Sequence, residues 1–288
     1  MKFGTFIAQL PGFDLAAGAR TIEELGFESL WVGDHIALRD DHAAPYPYSP
    51  NQRYQLPQNY PFSDPFVLLA YAAAATTRLR LATGVYLLPL RNPFTTAKAV
   101  ATLDALSNGR FIFGVGMGWM SDEFELMGSD FRDRGARTAE YLALLTEVWS
   151  KPVAVFEGRT VKTAGFSFYP QPIQQPHPPF VLGGNTDPSL KRAVRLGDGW
   201  FGIVTSLDEA RDLIGRLGEF ERQAGRGAKL ERTLLPAWQV SAQDIRDLAE
   251  LGVARVIDAG IFGVRDPIAY LREFRDRLAG EFERSDRP

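Results

Sequence analysis

The apolar run "LWVGDHI", Leu30 to Ile36, ends in an acid beside an imidazole. If the run is a buried strand, its end presents Asp34 and His35, residue types that move protons near neutrality. Histidine titrates nearest physiological pH, and a neighbouring carboxylate can orient the ring and favour the imidazolium. Adjacent strand residues point to opposite faces, so Asp34 can instead cap the following loop. Other stretches suit holding a ligand. "RFIFGVGMGWMSDEF" sets Gly114, Gly116 and Gly118 at alternate positions, which clears one face and leaves room for a flat ring against backbone. It is not the dinucleotide fingerprint, because position 119 is Trp and the unit lies mid-chain. "FVLGGNTDPSLKRA" brings Gly183, Gly184, Asn185 and Thr186 to a helix opened by Asp187-Pro188, where N–H groups and a hydroxyl suit an anion; a plain capped turn needs none. Gly84-Val85 in "LATGVYLLPLRNP" suggests either a bulge or a glycine chosen for packing.

These residues need elements to position them. Strand-like apolar runs alternate with segments of helical period along the whole chain: "KFGTFIA", "SLWVGD", "LRLATGVY", "RFIFGVGMG", "PFVLGGN", "GWFGIV", "TLLPAW" and "RVIDAGI". The runs are nearly continuous in apolar residues, as in a parallel sheet covered on both faces. Helix starts are marked by Asp64, by Asn92 with Pro93, by Asp187 with Pro188 and by Asp266 with Pro267. The expected fold is α/β, a single (β/α)₈ TIM barrel over residues 1–288, with its active site at the C-terminal strand ends. Two segments exceed the minimal barrel. Residues 39–62 hold five prolines and four tyrosines and are expected to form a lid loop. Residues 151–180 are expected to form a small hairpin and a proline-rich return, serving as surface decoration or shaping the substrate site.

Composition removes several function classes. With 288 residues, 45% hydrophobic and 23% charged, the chain can bury a large core. A net charge of -3 with interleaved acids and bases gives no footprint for nucleic acid. No window approaches a membrane span, and the N-terminus breaks at Pro11-Gly12, too early for a secretory core, so a cytoplasmic protein is expected. The absence of cysteine excludes a thiolate nucleophile and an iron–sulfur cluster, and His35, His42 and His177 lack metal-ligand spacing; no metal is expected.

The motifs "LGFESLWVGDHI", "LRLATGVYLLPLRNP", "LDALSNGRFIFGVGMGWMSDEF", "VLGGN" and "RLGDGWF" together resemble the luciferase-like monooxygenase superfamily over most of the chain. The Asp-His pair, the "GVGxGW" strand and the following "DEF" most resemble its branch using the deazaflavin coenzyme F420. The resemblance implies an oxidoreductase passing hydride between F420 and a small organic substrate, with His35 facing the ring as acid/base or substrate contact. It also implies a non-prolyl cis peptide after Gly84, with Gly84 and Val85 bulging against the ring. Gly114, Gly116, Gly183 and Gly184 would line the cofactor, and Gly183, Gly184, Asn185 and Thr186 would lie near its phosphate. A homodimer is implied as well, for which helix segments rich in small apolar residues such as "PFVLLAYAAAA" give support. One position departs from the pattern: the sugar-phosphate dehydrogenases of this branch carry a glutamate where this chain has Met117. His35 is therefore expected to lack a carboxylate mate, with Glu123 capping the next helix. The alternatives are an FMN-dependent monooxygenase and a non-catalytic flavin-binding barrel. The tyrosines of 39–62 suggest an apolar or aromatic substrate.

Overall fold

The computed structural model describes residues 1–7, 13–39, 45–49, 51, 53, 60–260 and 264–285. Eight parallel strands close into a barrel: β1 Lys2–Phe6, β2 Ser29–Val32, β3 Arg80–Thr83, β4 Phe111–Gly116, β5 Phe180–Gly183, β6 Gly199–Val204, β7 Glu231–Pro236 and β8 Arg255–Asp258. Each pairs with its neighbours in sequence order, and β8 returns to β1 with Arg255 opposite Lys2. All eight expected strands are present. Their continuous apolar character follows from burial on both faces: every residue of β2, β4 and β5 is buried. Phe6, Trp31, Ala82, Ile112, Val181 and Ile257 form one cluster, distinct from the larger core shared with the helices.

The helices follow the strands: α1 Leu15–Glu24, α2 Pro65–Ala75, α3 Pro93–Leu106, α4 Ser121–Leu126, α5 Arg134–Ser150, α6 Asp187–Leu196, α7 Leu207–Gln223, α8 Ala242–Glu250, α9 Pro267–Arg277 and α10 Ala279–Ser285. Asp64, Asn92 and Asp266 cap α2, α3 and α9, each accepting two backbone N–H bonds ahead of a proline. At α6 the cap lies one residue earlier than expected, on Thr186, whose hydroxyl accepts from Ser189 N, and Asp187 is the first helical residue.

At the N-terminal end of the barrel, fully buried Arg255 pairs with Glu28 at 2.7 Å and with Glu231 at 2.6 Å, and lies over the Trp31 ring. A buried guanidinium persists only with such partners, and their presence marks this end as structural. The hairpin Ala154–Glu157 with Lys162–Phe166 and the return after it sit outside the barrel wall. Gln174 of the return binds Asp104 and the Phe111 carbonyl, at the N-terminal end of β4. Among the described residues, none of 151–180 lines the cavity described below. Among the described residues no helix is long and apolar enough to cross a membrane.

Candidate functional site

Residues just past the C-terminal strand ends surround a cavity of about 550 Å³, within the range of small-molecule sites. His35 stands on its wall beyond β2, Gly84 and Val85 beyond β3, and Gly183 and Gly184 at the end of β5. From segment 39–62, Tyr46, Tyr48, Tyr60 and Phe62 also line it; residues 40–44, 50, 52 and 54–59 of that segment, His42 among them, lie outside the described residues.

His35 is enclosed by rings. It meets Phe62 edge-on at 5.0 Å and Trp119 at 5.9 Å, and Tyr46 packs on Trp119 at 5.2 Å. Burial raises the hydroxyl pKa of Tyr46, Tyr48 and Tyr60, so these phenols are neutral apolar walls with a polar edge. His35 Nδ1 lies 3.0 Å from Glu123 Oε2, with the two side chains 8% and 1% exposed. The other Glu123 oxygen accepts from Ile36 N at 2.5 Å and Ala37 N at 3.4 Å. A carboxylate only accepts, so this contact assigns the ring proton to Nδ1.

This corrects two expectations. His35 has a carboxylate mate, and Glu123 does not cap α4: the cap position there is Met120, without a side-chain hydrogen bond. Asp34 does not orient the ring. Its carboxylate accepts from Leu87 N at 2.9 Å and pairs with Arg91 at 2.5 Å, tying the end of β2 to the chain beyond β3. Burial raises its pKa against the pull of the Arg91 guanidinium and the Leu87 N–H. Both residues border the cavity beyond the end of β2, but their side chains take different partners, Glu123 for His35 and Leu87 N with Arg91 for Asp34.

The Gly84–Val85 peptide is cis. A Cβ on Gly114 would lie 1.8 Å from the Thr83 carbonyl oxygen, and one on Gly116 would lie 2.3 Å from Val85 Cγ2. The cleared face of β4 is therefore filled by the chain around Gly84 and Val85, and Gly114 and Gly116 do not form the cavity wall as expected. Val85 stands between them and the ligand space, also touching Gly183.

The turn after β5 differs from a simple anion cradle. Gly184 N donates to Phe201 O, the Thr186 hydroxyl is taken up by Ser189, Pro188 has no N–H, and the Asp187 carboxylate occupies the first turn of α6. Asn185 donates from Nδ2 to Ile203 O at 2.6 Å, which leaves its buried Oδ1 without a partner. An orphan acceptor repels phosphate and suits an N–H donor. The glycines Gly84, Gly183 and Gly184 and the apolar rings on the wall fit a flat flavin-type ring, whereas Asn185 and Thr186 are not among the residues that line the cavity.

At the end of β8, burial pushes the Asp258 carboxyl up to about 6, against hydrogen bonds from Tyr270 Oη and Gly260 N and the pull of Arg277. Because the folded pKa exceeds the ordinary 3.8, the folded chain holds this proton more tightly. The stability contribution is full below the lower value and is lost as pH rises through the higher one. Asp258→Asn is expected to melt above the wild type at about pH 8, by a margin on the order of 1 to 3 kcal/mol. The gap should close toward about pH 4, as followed by thermal melts across that window.

A model of the luciferase-like monooxygenase family matches residues 9–286. An uncharacterised protein of Mycobacterium tuberculosis is 33% identical over 287 residues, covering 93% of this chain and 95% of that one. Among solved structures, an F420-dependent secondary alcohol dehydrogenase in complex with an F420–acetone adduct superposes with TM-score 0.76 at 18% identity, over 96% of this chain and 98% of that chain. The oxygenating constituent of 3,6-diketocamphane monooxygenase from Pseudomonas putida, in complex with FMN, has TM-score 0.62 at 18% identity, over 82% and 66%.

Proposed function

The chain belongs to the luciferase-like monooxygenase family, a family of oxidoreductases and monooxygenases, and from that premise we propose that it passes hydride between coenzyme F420 and a small, largely apolar alcohol or carbonyl compound. The observation that carries this reading is the His35–Glu123 pair, a buried proton-handling unit on the wall of an otherwise apolar cavity. When bound, the deazaflavin supplies a carbon that takes up or returns a hydride. Moving hydride at an alcohol or carbonyl carbon requires a proton to leave or reach the oxygen, and His35 Nε2 provides that exchange while Glu123 holds Nδ1. Tyr46, Phe62 and Trp119 pack the space around the imidazole, exclude water and select an apolar substrate body.

The test uses cofactor-stripped protein. Incubated without oxygen with F420 and a panel of secondary alcohols and aromatic carbonyls, it should bleach or restore the visible band of F420. Oxygen uptake with reduced FMN, without any F420 turnover, would make the protein an FMN monooxygenase. Tight binding without either reaction would make it a carrier.

We also propose a homodimer contact on α2. Val67 and Tyr71, 71% and 58% exposed, fall on one stripe with Ala70 and Ala74, and such an apolar stripe on a helix surface marks an interface. The double substitution Val67→Glu with Tyr71→Glu is expected to give monomers in light scattering where the wild type gives dimers.

A further inference from the structure

Six rings stand in one row along the cavity wall. Tyr60 packs on Phe62 at 5.0 Å, Phe62 on His35, His35 on Trp119, Trp119 on Tyr46, and Tyr46 on Tyr48 at 5.5 Å. Three parts of the chain build the row: His35 stands at the end of β2, Trp119 beyond β4, and the other four belong to segment 39–62. Every contact in it is edge-on, with interplanar angles between 61° and 81°. The core mixes edge-on pairs with stacked ones, such as Phe3 on Phe282 at 10° and Trp31 on Phe201 at 26°.

An edge-on contact uses one face of one ring, whereas a stacked contact uses a face of each, so a row joined only edge-on leaves more ring surface open. The six residues are accordingly half-buried, against 5% and 3% exposure for Phe6 and Phe201, the rings of the cavity floor. All six line the cavity, so uncovered ring surface borders the ligand space. Charge narrows what can fill it. Among the described residues no lysine or arginine lines the cavity, and its two acid–base groups are engaged within the protein, Asp34 with Arg91 and His35 with Glu123. An anionic guest finds no counter-charge and a cationic one no unpaired carboxylate, so burial penalises either. A neutral aromatic ring gains the face and edge contacts that the row leaves open. Because the imidazole is itself a member of the row, such a ring lies beside His35.

We propose that the row is a recognition box for the aromatic ring of a neutral substrate, with Trp119 and Tyr46 as its specificity-determining residues and the reacting carbon attached to that ring. Trp119 and Tyr46 carry the selectivity because their contact joins the chain after β4 to the segment after β2. The aromatic preference follows from the wall alone; oxidation or reduction of the attached carbon rests on the proposed function. The substrate class narrows from small apolar alcohols and carbonyls to aryl carbinols and aryl aldehydes or ketones.

The test compares rings of equal size. Dissociation constants for benzyl alcohol, cyclohexylmethanol, benzoate and benzylammonium are measured by calorimetry on wild type, Trp119→Phe, Trp119→Leu and Tyr46→Leu, with F420, with FMN and with neither. Wild type should bind benzyl alcohol about 10-fold more tightly than cyclohexylmethanol, and both ions more weakly than benzyl alcohol. Trp119→Phe should keep the preference, and each leucine variant should cut it to about twofold or less. Equal affinity for the two alcohols in wild type, or a preference unchanged in both leucine variants, overturns the box. Tighter binding of benzylammonium than of benzyl alcohol would make the row a cation cage and overturns the neutral guest. Should a leucine variant fail to fold, the wild-type comparison still decides. Failure of the proposed function shows separately: the aryl preference stands while no hydride passes between F420 and either alcohol.

Discussion

His35→Asn is expected to slow turnover by about 10²- to 10⁴-fold, the usual worth of a positioned acid/base, while leaving cofactor affinity nearly unchanged. The residue borders the cavity, whereas the glycines, aromatic rings and aliphatic side chains that make up most of its wall are left in place by the substitution. Glu123 acts through His35, and its variant should look different. In Glu123→Gln the amide carbonyl can still accept from Ile36 N, so the β2–α4 connection survives, but the charge that favours a proton on Nδ1 is gone. The expected result is a fall in kcat of about 10- to 100-fold with KM and melting temperature little changed. The imidazole ¹⁵N spectrum, assigned by comparison with His35→Asn, should move from one tautomer to a mixture. A purely structural glutamate would instead lower stability and cofactor affinity together and leave the tautomer alone.

The second large effect is on folding. Gly114→Ala is expected to cost about 3 kcal/mol or more, or to abolish soluble expression, because its Cβ would lie 1.8 Å from a backbone oxygen. A side chain can rotate away from such a clash; the Thr83 carbonyl cannot without parting β3 from β4. The same pairing is held by the Thr83 hydroxyl, which donates to Gly114 O at 2.7 Å. Gly215→Ala on exposed α7 provides the contrast. Nothing lies within 4 Å of its Cβ position, so alanine should add about 0.5 to 1 kcal/mol through helix propensity. Denaturant titrations of the two variants distinguish a packing glycine from an incidental one.

Strand order and helix caps were legible because their causes are local. A run such as "FIFGVG" is apolar throughout since both faces are covered, and an Asn or Asp ahead of Pro satisfies the first helical N–H groups wherever it occurs. Thr186 and Asp187 are both competent caps, which explains the one-residue error at α6. The non-local contacts were not legible. Glu123 meets His35 across 88 positions, a proximity set by barrel closure rather than by any periodicity. The alternate glycines of β4 signalled cleared space correctly, but composition does not say whether ligand or backbone fills it; Thr83 and Val85 do.

The most direct measurement is a pair of equilibrium titrations of cofactor-stripped protein with F420 and with FMN, read by tryptophan quenching, since Trp119 borders the cavity. The account predicts micromolar or tighter binding of F420, about −8 kcal/mol or better, and FMN weaker by at least about tenfold. FMN binding tighter than F420 would contradict it, and would make His35 and Glu123 parts of an oxygen-using site.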